Sequence, residues 1–196
     1  MKLFPYLFVV FLVAYPFPAG HARTPEARWS LGVYGGRFYD SSPNYLLTLR
    51  ETHFKDHHIL AVNATGVLWQ AGRWPLSLIL DVVVARQFGQ ADLTELATAP
   101  ILYWGGFPWN DHLRTRVGFG PFGVSWLSGV SPLEQTAKGG SRWLNFLVLE
   151  VAFALPRWPR NELFVRLHHR CDVLGLLNDY GSNGEDFLVV GYRRRF

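Results

Sequence analysis

The chain of 196 residues is rich in aromatic side chains (16%) and poor in charged ones (17%), and its formal net charge at pH 7 is only +4. The arginines are scattered among aromatic residues and form a run only at residues 193–195, a pattern that does not suggest nucleic-acid binding. The single cysteine, Cys171, excludes an internal disulfide framework.

Residues 1–22 have the pattern of a secretory signal peptide. Lys2 is followed by an apolar run from Leu3 to about Val13, and then by prolines and small residues. The run is shorter than the roughly 18 apolar residues that a membrane-spanning helix needs, so an export signal is preferred to an anchor. We therefore expect residues 23–196 to form one exported domain.

Eight segments of the exported part have the character of β-strands, and several exceed the usual soluble strand length of about 5 to 6 residues. They are residues 28–36, 58–69, 74–86, 93–104, 113–127, 142–155, 162–171 and 185–196. High hydrophobicity without a later helical span leaves a soluble sandwich or a membrane barrel. The strand lengths favour an all-β fold, an eight-stranded antiparallel up-and-down transmembrane β-barrel.

The connections predict how this barrel is oriented. Residues 37–57, 128–141 and 172–184, all at one end, are longer than every connection at the other end. Outer-membrane barrels have short periplasmic turns and longer outer loops. We therefore place both termini in the periplasm and the protein in the bacterial outer membrane.

Several residues are expected inside the barrel. Asp81, Glu150 and Arg166 would pair there, because a charge inside a narrow barrel needs a partner, and His168 would be a hydrogen-bonded filler. Bulky inward residues argue against a small channel; they are Ile79, Val83, Phe146 and Phe164. No metal site is expected, and His57 and His58 are interpreted as a solvated loop pair.

The seventh segment carries the candidate chemistry. Residues two apart on a strand share a face, so His169 and Cys171 point the same way as Leu163, Val165 and Leu167. The predicted topology puts them on the outside of the barrel at the level of the outer leaflet, which in a Gram-negative envelope is largely lipopolysaccharide. A base and a nucleophile that face lipid suggest a lipid substrate.

His169-Arg170-Cys171, followed by a glycine-bearing loop, a late acidic residue and a C-terminal Phe196, resembles the lipid A 3-O-deacylase family of outer-membrane barrels. The resemblance spans most of the mature chain and includes residues 75–78, 85–89, 107–110 and 163–169. It implies hydrolysis of an ester-linked acyl chain of lipid A by a serine nucleophile, a histidine base and an orienting glutamate, without a metal or other cofactor.

Residue by residue, the resemblance makes His169 the base and puts Cys171 where the family has its serine. Glu185 lies nearest to the orienting glutamate in spacing and is our preferred acid. Alternation counted back from Phe196 puts Asp186 on the lipid face instead, unless a bulge before Phe187 restores Glu185. Asp179, or no acid at all, is the remaining alternative.

Two departures from the family bear on activity. A thiol is a good nucleophile, yet a thiolate also leaves more readily than an alkoxide. Three outcomes of having Cys171 in place of serine therefore stay open: turnover is retained, slowed or abolished. The family commonly has an asparagine after the serine, whereas Asp172 only accepts hydrogen bonds when ionised, which leaves backbone N–H groups near Gly175 as donors.

The expected partners are the outer membrane and lipid A or lipopolysaccharide. The alternative is a catalytically silent barrel that binds lipopolysaccharide or has a structural role. The oligomeric state stays open, with a homodimer among the options.

Overall fold

The structure is a computed structural model that describes residues 28–40, 53–134, 140–172 and 184–196. Its strands are β1 (Trp29–Tyr39), β2 (Phe54–Gln70), β3 (Leu76–Gly89), β4 (Leu93–Trp104), β5 (Arg114–Leu127), β6 (Trp143–Ala154), β7 (Asn161–Cys171) and β8 (Glu185–Arg195). Each strand pairs antiparallel with the next, and β1 pairs with β8 to close the barrel. The predicted eight-stranded antiparallel barrel is confirmed. The proposed signal peptide lies outside the described residues.

The strand β2 begins at Phe54, four residues before the predicted start at His58. His57 therefore belongs to a strand and points into the barrel, where it is buried and its Nε2 lies 3.5 Å from Gln87 Oε1. The interpretation of His57 and His58 as a solvated loop pair is wrong. Polar residues occupy both faces of this end of β2, because Asp56 and His58 alternate with the buried His57, and so alternation did not mark the strand.

The outer wall of the barrel is apolar. Large exposed hydrophobic side chains occur on every strand and include Leu31, Leu60, Val82, Leu96, Phe119, Leu149, Val165 and Val190. Exposed tryptophans flank this wall at the turn end, at positions 29, 69, 74, 109 and 158. An apolar band with aromatic residues at its rim is what a barrel presents to hydrocarbon and to the membrane interface.

Among the described residues there is no helix with the length and apolarity to cross a membrane.

The interior is filled with buried ion pairs and aromatic rings. At its centre the Arg166 guanidinium lies 2.7 Å from Asp81 Oδ2 and 2.7 Å from Glu150 Oε2, and none of these three side chains is exposed. This confirms their predicted pairing inside. Arg193 also contacts Glu150, and its Nε donates to Glu162 at 3.0 Å. Since each cation has a carboxylate partner, the cost of burying the charges is offset.

Bulky residues close the lumen between these pairs. Ile79, Val83, Phe146 and Phe164 are all buried within the barrel, as predicted. Tyr34 lies edge-on to Phe164, with ring centroids 6.0 Å apart. The described interior is therefore a packed core, which fits a small barrel whose side chains fill it.

The two ends of the barrel sequence meet at its closing seam. The Phe196 ring stacks on Trp29, with centroids 4.2 Å apart and planes 12° from parallel. The Phe196 backbone N–H donates to the Trp29 carbonyl at 2.9 Å. The C-terminal aromatic residue thus ties β8 to the beginning of β1, on the turn side of the barrel.

Candidate active site

The two faces of β7 differ sharply. Arg166, His168 and Arg170 are fully buried inside the barrel, whereas Leu163 is 60% and Val165 42% exposed on the outer wall. His169 and Cys171 continue that outer row toward the β7–β8 connection, one of the long loops. Because outer-membrane barrels have their long loops outside the cell, this is the end of the wall that we predict to be extracellular. The pair lies on the face that the sequence predicted.

His169 has a carboxylate directly opposite it on β8. The register aligns His169 with Asp186, and a short hydrogen bond joins His169 Nδ1 to Asp186 Oδ1. The two side chains are 12% and 11% exposed, so both are largely shielded. Cys171 lies two residues further along the same face of β7, and its side chain interacts with the His169 ring. One imidazole is therefore in contact with both an acid and a thiol.

Glu185, the preferred orienting acid, does not join this group, and the prediction of its position needs correction. It is aligned with Arg170 and points into the barrel, where its Oε2 accepts from Gln87 Nε2 at 2.9 Å and lies 3.3 Å from Arg170 Nη1. The β7–β8 register runs from Asn161 to Arg170 without a shift, so the bulge that would have turned Glu185 outward is absent. Strict alternation puts the alternative acid, Asp186, beside His169.

Asn145 is a neighbour of Cys171 that the sequence analysis missed. It lies on the outer face of β6, directly opposite Cys171, and is only 3% exposed. Its Nδ2 lies 3.9 Å from Cys171 Sγ and donates to the Pro121 carbonyl at 3.0 Å. The signal was present in the sequence, because Asn145 is a polar residue in the same alternating row as the outward Trp143, Leu147 and Leu149.

A polar network behind β7 anchors the backbone that carries the site. Arg170, between His169 and Cys171, donates from Nε to Ser125 Oγ at 2.9 Å and also contacts Glu134. Burial raises the pKa of the Glu134 carboxyl to about 7, although the Arg170 guanidinium acts in the opposite direction. Because Arg170 is tied to two other parts of the barrel, the residues on either side of it are held in place.

An open apolar groove of about 530 Å³ lies on the outer wall near the site. Its lining includes Val82, Val84, Leu96, Val124, Trp126 and Trp143. Trp143 is two residues from Asn145 on the same face of β6, so the groove begins beside the Cys171 end of the wall. The Arg142 guanidinium lies 4.8 Å from the Trp126 ring at the groove's loop end.

The remaining predicted residues add little to the site as described. Asp172 directly follows β7 and is half-buried. Asp179 and Gly175 lie outside the described residues. Within the described part of the chain, no group of three or more His, Cys, Asp or Glu side chains is placed to hold a metal ion.

No protein-family model matches the chain, and no curated protein matches it. Among solved structures, the outer membrane enzyme PagL is similar to it, with 14% sequence identity over 85% of this chain and 99% of that chain, and a TM-score of 0.60. Neisserial surface protein A (NspA) is 11% identical over 86% of this chain and 97% of its own, with a TM-score of 0.49. The outer membrane protein Ail of Yersinia pestis is 11% identical over 86% and 99%, with a TM-score of 0.40. The likeness to PagL shows the fold: the protein is an eight-stranded barrel of the bacterial outer-membrane type, as predicted.

Proposed function

We propose that the protein is an outer-membrane esterase that removes an ester-linked acyl chain from lipid A. The observation that carries this proposal is the contact of His169 with both Asp186 and Cys171 on the lipid-facing wall. The resemblance of the sequence to lipid A 3-O-deacylases supports it, as does a fold shared with an outer membrane enzyme. These residues lie at the end of the barrel where lipopolysaccharide occupies the outer leaflet.

Each residue of the group has a defined role in this proposal. Asp186 accepts a hydrogen bond from His169 Nδ1 and thereby fixes the tautomer and orientation of the ring. Nε2 is then the ring nitrogen that takes a proton from the Cys171 thiol. The resulting thiolate is the nucleophile. The acid in this role is Asp186, and Glu185 stabilises the interior instead.

The reaction proceeds in two halves. Cys171 Sγ bonds to the ester carbonyl carbon as its proton passes to His169, and the carbonyl π electrons move onto oxygen. The intermediate collapses by breaking the bond to the sugar oxygen, which leaves with the proton from His169. Water, deprotonated by His169, then attacks the thioester and releases the fatty acid and the free thiol. The net reaction consumes one water and needs no metal or cofactor.

The apolar groove beside the site supports a lipid substrate. It opens to the membrane and is lined by aliphatic side chains and by Trp126 and Trp143, which suit an acyl chain. A chain that occupies this wall keeps its hydrocarbon out of water while its ester lies at the level of Cys171. Only the ester then enters the polar neighbourhood of His169, Asp186 and Asn145.

A catalytically silent barrel that binds lipopolysaccharide or has a structural role is the second candidate. The presence of Cys171 where the resembling family has serine favours it, because an intermediate formed on sulfur reverts more readily than one formed on oxygen. Asp172 favours it as well, because an ionised carboxylate repels a developing negative charge.

Mass spectrometry of lipid A from Gram-negative cells that express the chain tests the proposal. We expect loss of one ester-linked hydroxyacyl chain with the wild type and none with Cys171→Ala, at equal amounts of folded barrel in the outer membrane. Unchanged lipid A with the wild type contradicts the proposal. Unchanged lipid A with the wild type, together with deacylation by Cys171→Ser, would identify the native protein as the silent form.

A further inference from the structure

The oxyanion that forms during ester cleavage needs a hydrogen-bond donor, and Asp172, the residue after the nucleophile, cannot supply one when ionised. The adjacent strand carries a donor instead. We infer that the side-chain amide of Asn145 is the oxyanion donor of this site, an inference that rests on the proposed esterase function. The observations behind it are its alignment with Cys171 across the β6–β7 ladder and the 3.9 Å from its Nδ2 to Cys171 Sγ.

The orientation of the Asn145 amide is determined by a second contact. Its nitrogen, and not its oxygen, must face the Pro121 carbonyl at 3.0 Å, because a carbonyl only accepts hydrogen bonds. An amide nitrogen carries two hydrogens. With one committed to Pro121, the other is available on the side of Cys171.

The Pro121 carbonyl is available because β5 is irregular at this point. The β5–β6 register shifts between Gly120 and Gly123, so Pro121 lies outside the regular ladder. Bulges of this kind are common near active sites, where they redirect a side chain. Here the irregularity supplies the acceptor that holds the Asn145 amide in one orientation.

The chemistry of the step brings the oxyanion to this amide. As Cys171 Sγ bonds to the carbonyl carbon, the negative charge leaves sulfur and develops on the oxygen of the same carbon. A donor that faces the sulfur before attack then lies close to that oxygen. Asn145 is 3% exposed on a lipid-facing wall, so little water competes for its N–H, and such a donor is stronger than in water.

The test compares Asn145→Ala with the wild type, as purified barrels in detergent micelles that contain lipid A. We expect kcat for fatty-acid release to fall by about 10²–10³-fold with little change in KM, as on loss of one oxyanion donor. The rate of Cys171 alkylation by iodoacetamide should fall far less than kcat, because that displacement forms no oxyanion and loses only the long contact of Nδ2 with Sγ. Since Cys171 is the only cysteine, alkylation reports on this thiol alone.

Val151→Ala is the matched control, because Val151 lies on the same face of β6 but is aligned with Val165. It should keep the wild-type kcat. Asn145→Asp keeps the shape of the side chain without its donor, so it provides the test if Asn145→Ala does not fold, and it should lose at least as much activity.

Two results overturn the inference while leaving the proposed function intact. The first is a kcat equal to that of the wild type in both Asn145 variants. The second is a fall of kcat and of the alkylation rate by the same factor in Asn145→Ala, which would make Asn145 a positioning residue for the thiol. A wild-type barrel without esterase activity overturns the proposed function itself, and this inference with it.

Discussion

Two adjacent histidines on β7 show how similar residues acquire different tasks on opposite faces of one strand. His168 points inward, and its ring nitrogens lie 3.0 Å from the Tyr34 hydroxyl and 3.0 Å from Glu95 Oε1. His169 points outward, and its Nδ1 contacts Asp186. Each histidine therefore has a carboxylate partner, yet only His169 also has a potential nucleophile beside it.

The comparison teaches that a histidine–carboxylate pair alone does not identify a catalytic base. Both ring nitrogens of His168 have partners, and its side chain is fully buried, so it has no free position at which to move a proton to a substrate. His169 has Nδ1 committed to Asp186, and its ring also interacts with Cys171 on the outer wall. The criterion is whether a potential nucleophile lies beside the ring.

Replacing His169 with alanine should have the largest effect. Without the base the thiol stays protonated, and we expect ester hydrolysis to fall by about 10³-fold or more, as on removal of a triad member. Fatty-acid release from lipid A in micelles measures this. The thermal midpoint of unfolding should fall less than in His168→Ala, because the His169 side chain is on the wall and outside the core. A rate that falls less than tenfold would contradict the role of His169.

Asp186→Asn and Glu185→Gln separate the two candidate acids. We expect Asp186→Asn to lower kcat by about 10²–10⁴-fold, because an amide at this position no longer favours the reactive tautomer of His169. Glu185→Gln should keep a rate near that of the wild type and instead lower barrel stability, since Arg170 loses one of its carboxylates. Steady-state kinetics and unfolding midpoints of both variants provide the measurement. The reverse pattern would restore Glu185 as the orienting acid.

His168→Ala should affect stability, with a smaller consequence for activity. It removes one hydrogen-bond partner of the Tyr34 hydroxyl and one of the Glu95 carboxylate inside the barrel, at a cost of about 1–3 kcal/mol. Denaturant unfolding in lipid vesicles, compared with His169→Ala, measures the difference. Equal stability of the two variants would show that the contacts of His168 with Tyr34 and Glu95 do not stabilise the barrel.

Glu134→Gln should have the smallest effect, on the pH dependence of stability. Burial raises the pKa of Glu134 from its ordinary 4.5 to about 7, so the folded barrel binds this proton more tightly than the unfolded chain does. The contribution of Glu134 to the free energy of unfolding therefore falls as the pH rises from about 4.5 to 7, and the variant should lack this slope. Thermal midpoints at pH 5 and pH 8 measure it, and an equal slope in both proteins would contradict the shift.

Much of the fold was predictable because it follows from a local rule. A strand alternates its side chains with a period of two, so apolar rows identify the outer wall and bury Arg166, His168 and Arg170 without knowledge of any partner. The same rule put His169 and Cys171 on the outside. It also put Asp186, and not Glu185, on the outer face of β8, provided that this strand has no bulge. It failed at His57, where polar residues lie on both faces of the strand end.

The sequence by itself thus determined the barrel, the apolar wall and the side of β7 on which His169 and Cys171 lie. Only the tertiary structure decided which side chains of other strands meet them: Asp186 on β8, Asn145 on β6 and the Pro121 carbonyl at the irregular part of β5. Alternation along a strand depends on residues two positions apart. A contact between strands depends on the register of each ladder, and that register is set by the closure of the whole barrel.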